Sequence, residues 1–325
     1  MLERLADTPE MRRLSDIGMH CGCEYSGVPF YKRASKYTRL THSIGAAKIV
    51  WRFTKDLKQA AAGMLHDIAT PVFAHTIDFL DNDYLDQEST ESKTAELIEN
   101  SASIVSLLGE YGISADDVSD YKRYPIADND TPMLSADRLE YTLGNAYTVF
   151  HPPLEQIREI YDDLTVAVNE RGCDELCFRT VRIAEDFVRI SLRNSNFFVS
   201  KEDRFLMQYL ADAIRGAISA GALTRDDLFT TETEVIEKLK GSGGSSALWN
   251  EYTRITAVAE SDNEMRDRYC VRVTEKKRHI DPLVRVPPQN STEYEVKRVS
   301  ELNGELKMRI DEFLRMSFDR WLYAE

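Results

Sequence analysis

No stretch of this 325-residue chain approaches the roughly 20 consecutive apolar residues that a membrane-spanning helix requires. The first ten residues, MLERLADTPE, are charged and lack the apolar segment of a secretion signal, so we expect a cytoplasmic protein with no membrane partner. Positive charge is also scarce, since 41 Lys and Arg stand against 55 Asp and Glu and give a net charge of −14. So acidic a chain disfavours stable binding of a long nucleic acid through its phosphates. A small phosphorylated ligand stays compatible, because a local basic cluster with a metal can outweigh the overall charge.

Cysteine supplies neither a disulfide framework nor a zinc motif. The five cysteines are an odd number for a chain of this size, which is typical of a reduced, intracellular protein. Cys21-Gly-Cys23 and the pair Cys173 and Cys177 lack the C-x2-C spacing of zinc half-sites, and no matching second half stands out. We therefore expect ordinary structural cysteines.

Apolar residues recur at helical intervals along most of the chain and predict a mainly α fold. One helix is predicted to begin around His42, and a second to run from about Lys55 to Ile68. A third is predicted to have Thr131 as its N-cap, Pro132 as its first residue and Gly144 as its stop.

Interruptions of this helical pattern predict the remaining elements. Residues 164–168 alternate like a strand that enters a turn at 169–172, and residues 269–273 and 283–286 alternate in the same way. The Gly- and Ser-rich residues 240–246 predict a flexible loop, and residues 300–322 predict an amphipathic helix that closes the chain.

Two histidines and two aspartates form a candidate metal site. His66 and Asp67 are adjacent near the end of the second helix, His42 lies near the start of the first, and Asp137 lies on the third. Two imidazoles and two carboxylates suit a divalent ion of intermediate hardness and leave positions open for water and substrate. Taken singly, each residue is more often an ordinary polar residue than a ligand, so the prediction depends on the set and its flanks.

The set and its flanks resemble the HD superfamily of metal-dependent phosphohydrolases, whose signature is H…HD…D, and more narrowly its deoxynucleoside-triphosphate triphosphohydrolase-like branch. MRRLSDIG at 11–18 resembles the opening MQRLRDI segment of that branch, and RLTHSIG at 39–45 resembles its R-F-x-H-S-x-G motif. LHDIATPVFAH at 65–75 resembles L-H-D-x-G-H-x-P-F-x-H, and DRLEY at 137–141 resembles D-[KR]-x-D-Y. The resemblance implies an HD-domain helical bundle with a small strand-containing C-terminal part.

The resemblance also implies the chemistry. One divalent ion (Mn, Mg, Fe, Co, Ni or Zn) would be bound by His42, His66, Asp67 and Asp137. His75 would be a catalytic acid or base that Asp78, three residues on, orients, and Asp67 belongs to the catalytic set as well.

Four further residues are implied for the substrate: Arg39, Arg138, Tyr141 and His20. The arginines and the tyrosine hydroxyl would contact phosphates. His20 falls where the branch places residues near the nucleobase, and a hydrogen-bonded core histidine explains it equally well. The basic run of Lys276, Lys277 and Arg278 is either a solvated surface or, as in branch members that assemble into oligomers, a regulatory site. A homo-oligomer is therefore a further expectation.

Three departures from the branch surround an intact metal set. Ala69 and Thr70 stand where the branch has G-H, Gln87 lies near where it has a later histidine, and Gly144-Asn145 replaces R-D. We therefore expect a nucleotide phosphohydrolase with altered second-sphere residues. The alternatives are a nucleotidase or phosphodiesterase on the same scaffold, or a nucleotide-binding regulatory module whose catalysis has decayed. A mixed-valent oxygenase ranks last for want of further histidines.

Two regions are expected. Residues 1–215 would form the HD-domain helical core with the metal site. Residues 216–325 would form a helical extension with a short strand pair, packed on that core.

Overall fold

The computed structural model describes residues 1–81, 91–274, 276–287 and 294–325. Within them the chain is mainly helical, which confirms the predicted fold class. The helices of the first part are α1 (Leu2–Ala6), α2 (Pro9–Arg13), α3 (Pro29–Arg33), α4 (Arg39–Thr54), α5 (Leu57–Leu65), α6 (Thr76–Asp81), α7 (Glu91–Asn100), α8 (Ala102–Gly109) and α9 (Asp116–Ser119). Those that follow are α10 (Ala136–Asn145), α11 (Leu154–Asp162), α12 (Val181–Phe198), α13 (Lys201–Ser219), α14 (Glu232–Gly241), α15 (Gly243–Tyr252), α16 (Val299–Leu302) and α17 (Gly304–Arg315).

Side-chain caps decide where α4 and α5 begin. The hydroxyl of Thr38 accepts the amide of Thr41 at 3.3 Å, so α4 begins at Arg39, three residues before the predicted start. The carboxylate of Asp56 accepts the amide of Lys58 at 2.8 Å and caps α5. The predicted helix from Lys55 to Ile68 is therefore shorter at both ends.

The predicted ends of α10 were wrong. Ser135, not Thr131, is the N-cap, and its hydroxyl accepts the amide of Arg138 at 3.2 Å. The helix passes Gly144 and continues into a π-helical turn at Ala146–Phe150. Gly144 is needed for space instead, since a Cβ there would lie 2.3 Å from the hydroxyl oxygen of Tyr37.

Two other predictions were wrong because tertiary packing overrides the local sequence pattern. The Gly- and Ser-rich residues 240–246 lie at the junction of α14 and α15, because buried Trp249 and Tyr252 hold α15 against the core. The closing helix stops at Arg315, and residues 321–324 form a strand whose Leu322 is buried.

Seven strands form two small sheets among the described residues. The strands are β1 (Leu164–Val168), β2 (Asp174–Phe178), β3 (Val258–Ser261), β4 (Cys270–Val271), β5 (Leu283–Val286), β6 (Glu295–Arg298) and β7 (Trp321–Ala324). One sheet has the order β1-β2-β5-β6, with the β2–β5 pair parallel and the other pairs antiparallel. The other is antiparallel with the order β3-β7-β4. The predicted strand at 269–273 shortens to β4, and β4 and β5 belong to different sheets.

Two clusters of buried apolar residues make up the core, and α4 lies between them. Ala47 packs in the first cluster, while Val50, three residues on, packs in the second. Residues after 215 join both clusters, for example Trp249 in the first and Phe313 in the second. The five cysteines, all within the described residues, are free of disulfides. In the described residues, no helix combines the length and apolar character needed to cross a membrane.

Candidate metal centre

Helices α4 and α5 bring two imidazoles together. His42 lies in the first turn of α4, and His66 is the C-cap of α5. The Nε2 atoms of the two rings are 3.2 Å apart. Nδ1 of His66 lies 2.8 Å from the carbonyl oxygen of Gly63, which fixes that ring and leaves its Nε2 on the side of His42.

Two carboxylates complete the group. An oxygen of Asp67 lies 3.7 Å from the Nε2 of His42 and 3.7 Å from that of His66. Asp137, on α10, places an oxygen 3.0 Å from the Nε2 of His42 and 3.4 Å from that of His66. The structure therefore brings together all four residues that the sequence predicted as ligands.

The charges of these groups depend on one another. Burial lowers the pKa of His42, but Glu140 and Asp137 outweigh burial and raise it to about 10. Burial opposes protonation of His66 too, yet Asp67 and Asp137 raise its pKa above the usual value. Burial raises the pKa of Asp137, but the two histidines hold it well below its usual range. The carboxylates therefore favour the protonated form of the imidazoles, so a cation would compete with protons for the histidines.

Arg39 supports the site from the first turn of α4. Its guanidinium donates to Asp67 at 2.9 Å, and both side chains are largely buried. Burial raises the pKa of Asp67, and the charges of Arg39, His66 and His42 together reverse that effect. The Nε of Arg39 is buried without a hydrogen-bond partner. The side chain predicted to contact phosphate therefore reaches the metal centre through Asp67.

The loop after His66 is held by contacts from distant segments. Arg13, in the segment that resembles the family's opening motif, donates to the carbonyl oxygens of Ile68 at 2.9 Å and of Thr70 at 2.7 Å. Phe73 and Ala74 take φ values of 57° and 43°, in the left-handed region that L-residues rarely adopt. Strain of this kind persists where surrounding contacts impose it and is frequent at functional sites.

His75 follows the strained loop and pairs with Asp78. Its Nδ1 lies 2.9 Å from a carboxylate oxygen of Asp78, the first-turn acidic residue of α6. The His75 side chain is 37% exposed, whereas Asp78 is buried. Burial lowers the pKa of His75, which favours a neutral imidazole near neutral pH. The predicted orientation by Asp78 agrees with this geometry, and the catalytic role stays a prediction.

The structure places the other predicted phosphate contacts less directly. Arg138 donates to Asn129 at 2.6 Å and pairs with Asp128 at 3.2 Å, so the 128–135 turn holds its guanidinium. Tyr141 is half-buried, and burial raises its pKa to about 12, so its hydroxyl stays protonated.

His20 is a buried residue beside the site. Its Nε2 has no hydrogen-bond partner, and its ring lies 5.9 Å from that of Tyr31. Burial lowers its pKa to about 4, so the ring is neutral. The surroundings suit either of its two interpretations from sequence.

Two residues of the basic run, Lys277 and Arg278, have different roles in the structure. Lys277 donates to the carbonyl oxygen of Leu314 at 2.6 Å, which anchors the run to the end of α17. The charge of Arg278 acts to lower the pKa of both His75 and Tyr141. Burial is the larger effect on each, and it acts in the same direction on His75 but raises the pKa of Tyr141. Arg278 therefore acts electrostatically on two residues of the candidate site, a role that the sequence did not predict. Gln87, the expected position of a lost histidine, lies outside the described residues.

Sequence reasoning missed Glu140. Its carboxylate lies 2.5 Å from the Nδ1 of His42 and accepts the hydroxyl of Tyr37. Its position three residues after Asp137 on one helix was a usable signal. Tyr37 offered none. The ring of Tyr121, 5.5 Å from that of His66, was missed as well.

The cleft at this centre is small. Its volume is about 40 Å³, and it is lined by Arg39, Asp67, Thr70, Pro71, Ala74, His75 and Asp78. Ligand sites for whole drug-sized molecules span ~300–1,000 Å³. A whole nucleotide would therefore require the cleft to widen.

The fold and the site together define a helical protein with a candidate metal centre. Comparison with known proteins gives further information on the class of protein. No family model matches the chain. It is 26% identical over 289 residues to a Bacillus subtilis protein, the uncharacterized protein YdhJ, covering 87% of this chain and 84% of that one. It is 27% identical over 164 residues to a Cordyceps militaris protein named metal-dependent phosphohydrolase cns2, covering 50% of this chain and 46% of that one. The similarity to the second protein supports an assignment to the HD-type phosphohydrolases. It does not support the narrower assignment to the deoxynucleoside-triphosphate triphosphohydrolase-like branch.

Proposed function

We propose that the protein is a metal-dependent phosphohydrolase acting on nucleotides, most like a deoxynucleoside-triphosphate triphosphohydrolase with altered second-sphere residues. One observation carries the proposal: Nε2 of both His42 and His66 lies within 3.0–3.7 Å of carboxylate oxygens of Asp67 and Asp137. The likeness to a protein named metal-dependent phosphohydrolase supports it.

The donor set fits a divalent ion. Nδ1 of His42 faces Glu140 and Nδ1 of His66 faces a backbone carbonyl, so both Nε2 atoms remain on one side as nitrogen ligands. Asp67 and Asp137 add oxygen ligands, a mixture that suits Mn, Fe, Co, Ni or Zn, with Mg the least favoured. When bound, such an ion lowers the pKa of its water and neutralises charge on phosphoryl oxygens.

The surrounding residues supply positioning and proton transfer. Arg39 holds Asp67 in place and contributes positive charge beside the cleft. His75, neutral and oriented by Asp78, is partly exposed at the cleft and is suited to accept or donate a proton there. Tyr141 offers a hydroxyl that stays protonated and so can donate to a phosphate oxygen.

A nucleotidase or phosphodiesterase is the second candidate, and Thr70 favours it. The hydroxyl of Thr70 donates to Asp67 at 3.0 Å, at a cleft position where the family branch has a histidine. Thr70 therefore steadies a carboxylate and supplies no titrating group. Such a change suits a different leaving group, as in a monophosphate or cyclic substrate.

Metal analysis followed by a nucleotide panel tests the proposal. Purified protein is assayed for bound metal and then, in Mn2+ and Mg2+, against nucleoside mono-, di- and triphosphates and cyclic nucleotides. We expect metal-dependent turnover, and tripolyphosphate, pyrophosphate or inorganic phosphate each identifies a different bond. His66→Ala and Asp137→Ala should abolish turnover, and Lys307→Ala, which removes an exposed partner of Asp311 on α17, should retain it.

Metal-loaded protein that turns over none of these nucleotides would reject the enzyme proposal. A nucleotide-dependent rise in Tm without hydrolysis would point to the decayed regulatory module instead.

A further inference from the structure

Three tyrosines spaced six residues apart each donate a hydroxyl to a largely buried carboxylate. The pairs are Tyr25 with Glu232, Tyr31 with Asp203, and Tyr37 with Glu140. Of these three carboxylates, Glu140 alone also contacts a histidine of the candidate metal centre. The first two pairs therefore provide an internal reference for what a tyrosine–carboxylate contact does without a metal site.

The contact of Glu140 with His42 settles which ring nitrogen is free. A carboxylate accepts hydrogen bonds and donates none, so Nδ1 of His42, 2.5 Å from Glu140, must carry a proton. The opposite nitrogen, Nε2, lies 3.2 Å from the Nε2 of His66. A neutral His42 with its proton on Nδ1 thus presents a lone pair to the site.

Two glycines make room for this arrangement. A Cβ at Gly45 would lie 2.5 Å from the Cγ of Glu140, and one at Gly144 would lie 2.3 Å from the hydroxyl of Tyr37. Both distances are far below van der Waals contact. The Tyr37 side chain is buried, and its backbone oxygen accepts the amide of Met19 at 3.1 Å. Packing on several sides therefore fixes the position of the Glu140 carboxylate.

We propose that Glu140, fixed by Tyr37, is the positioning residue of the metal centre, holding the His42 ring in the tautomer and orientation that bind a cation through Nε2. The inference rests on the proposed metal centre and assigns these two residues to it. Carboxylates that accept from metal-bound histidines orient the ring and raise its basicity, and losing them typically costs ~10–100-fold in metal affinity.

The experiment compares Mn2+ affinity, by isothermal titration calorimetry, across four variants of the full chain. Glu140→Leu removes the acceptor, and we expect ~10–100-fold weaker binding. Glu140→Gln keeps an acceptor oxygen but loses its charge, so its loss should be smaller. Tyr37→Phe should weaken binding several-fold, while the matched control Tyr31→Phe, which breaks a similar pair, should bind like the wild type.

Nuclear magnetic resonance measures which ring nitrogen of His42 carries the proton, a property that altered packing alone would not change. In Zn2+-loaded wild type with 15N-labelled histidine, we expect the His42 proton on Nδ1. A proton on Nε2 would overturn the inference whether or not Glu140→Leu folds. Unchanged Mn2+ affinity in the Glu140 variants, or equal losses in Tyr37→Phe and Tyr31→Phe, would also overturn it.

A further control separates this inference from the proposed function. If the wild type binds Mn2+ no better than His66→Ala, the metal centre itself is rejected, and the inference falls with it. If only His66→Ala loses Mn2+ while the Glu140 variants bind normally, the metal centre stands and the role of Glu140 is rejected.

Discussion

At the candidate metal centre, Asp67 and Asp137 face histidine and arginine, whereas in the neighbouring core Asp203 and Glu232 face tyrosine hydroxyls. Burial raises the pKa of all four carboxyl groups. Cations reverse that effect at the metal centre and hold the pKa of Asp67 and of Asp137 below the usual range. In the core, burial prevails and raises the pKa of Asp203 to about 7 and that of Glu232 to about 8.

The difference shows that burial alone does not mark a functional carboxylate. A tyrosine-paired carboxyl with a raised pKa can take a proton and remain neutral, which suits a structural role. A carboxylate held ionised by histidine and arginine keeps its charge in a buried place, which suits a cation.

The largest expected effect is on metal binding. Asp137→Asn removes a charge that faces both histidines, and we expect Mn2+ affinity to fall by at least about 100-fold, since losing a partner that only hydrogen-bonds to a ligand already costs ~10–100-fold. Asp203→Asn makes the same chemical change in the core and should leave affinity unchanged. Calorimetric titration of both variants measures this, and equal losses would erase the distinction between the regions.

The next effect is on the pH dependence of stability. The folded-state pKa of Asp203, about 7, lies above the ordinary aspartate value of 3.8, so the folded protein holds this proton more tightly than the unfolded chain. The stability it contributes is complete below pH 3.8 and is lost as pH rises towards 7. Asp203→Asn should therefore flatten the profile and relieve roughly 2–4 kcal/mol of this loss at pH 8.

Urea unfolding between pH 4 and 8 measures the change. Asp67→Asn is the matched variant at the metal centre. Because the folded pKa of Asp67 is lowered, its contribution is present above pH 3.8 and is lost only as pH falls further. A wild-type profile that Asp203→Asn does not flatten would show that Asp203 is ionised in the folded protein.

A smaller effect concerns the space around Glu140. Gly45→Ala should destabilise the wild type by about 1–3 kcal/mol through overpacking. In a Glu140→Ala background the clash is gone, and alanine should stabilise α4 by up to about 1 kcal/mol through helix propensity. Gly216→Ala on α13, where the nearest atom is 4.0 Å away, should stabilise both backgrounds. Urea unfolding measures the effect of Gly45→Ala on the free energy of unfolding. An effect of the same sign in both backgrounds would contradict the close packing of Gly45 against Glu140.

Sequence patterns were sufficient to name the four residues that the structure brings together, because each lies in a short local motif that resembles the H…HD…D signature. Tyr37 could not be found this way, since its partner Glu140 lies 103 residues away. Position 249 shows the same limit: its buried tryptophan holds α15 to the core and overrides the Gly- and Ser-rich start of that helix. The strand β7 was missed because four residues at a chain end do not distinguish helical from strand periodicity.

The smallest expected effect is on the pKa of His75, at the edge of the candidate metal centre. There, as at Asp67, a neighbouring cation shifts the pKa of an ionisable group. Arg278→Ala should raise the pKa of His75, because the guanidinium charge disfavours the imidazolium. Arg278→Lys keeps the charge and should leave the pKa nearly unchanged. Titration of metal-free protein by nuclear magnetic resonance measures all three forms, and a pKa that is equal in all would remove Arg278 from the electrostatics of the site.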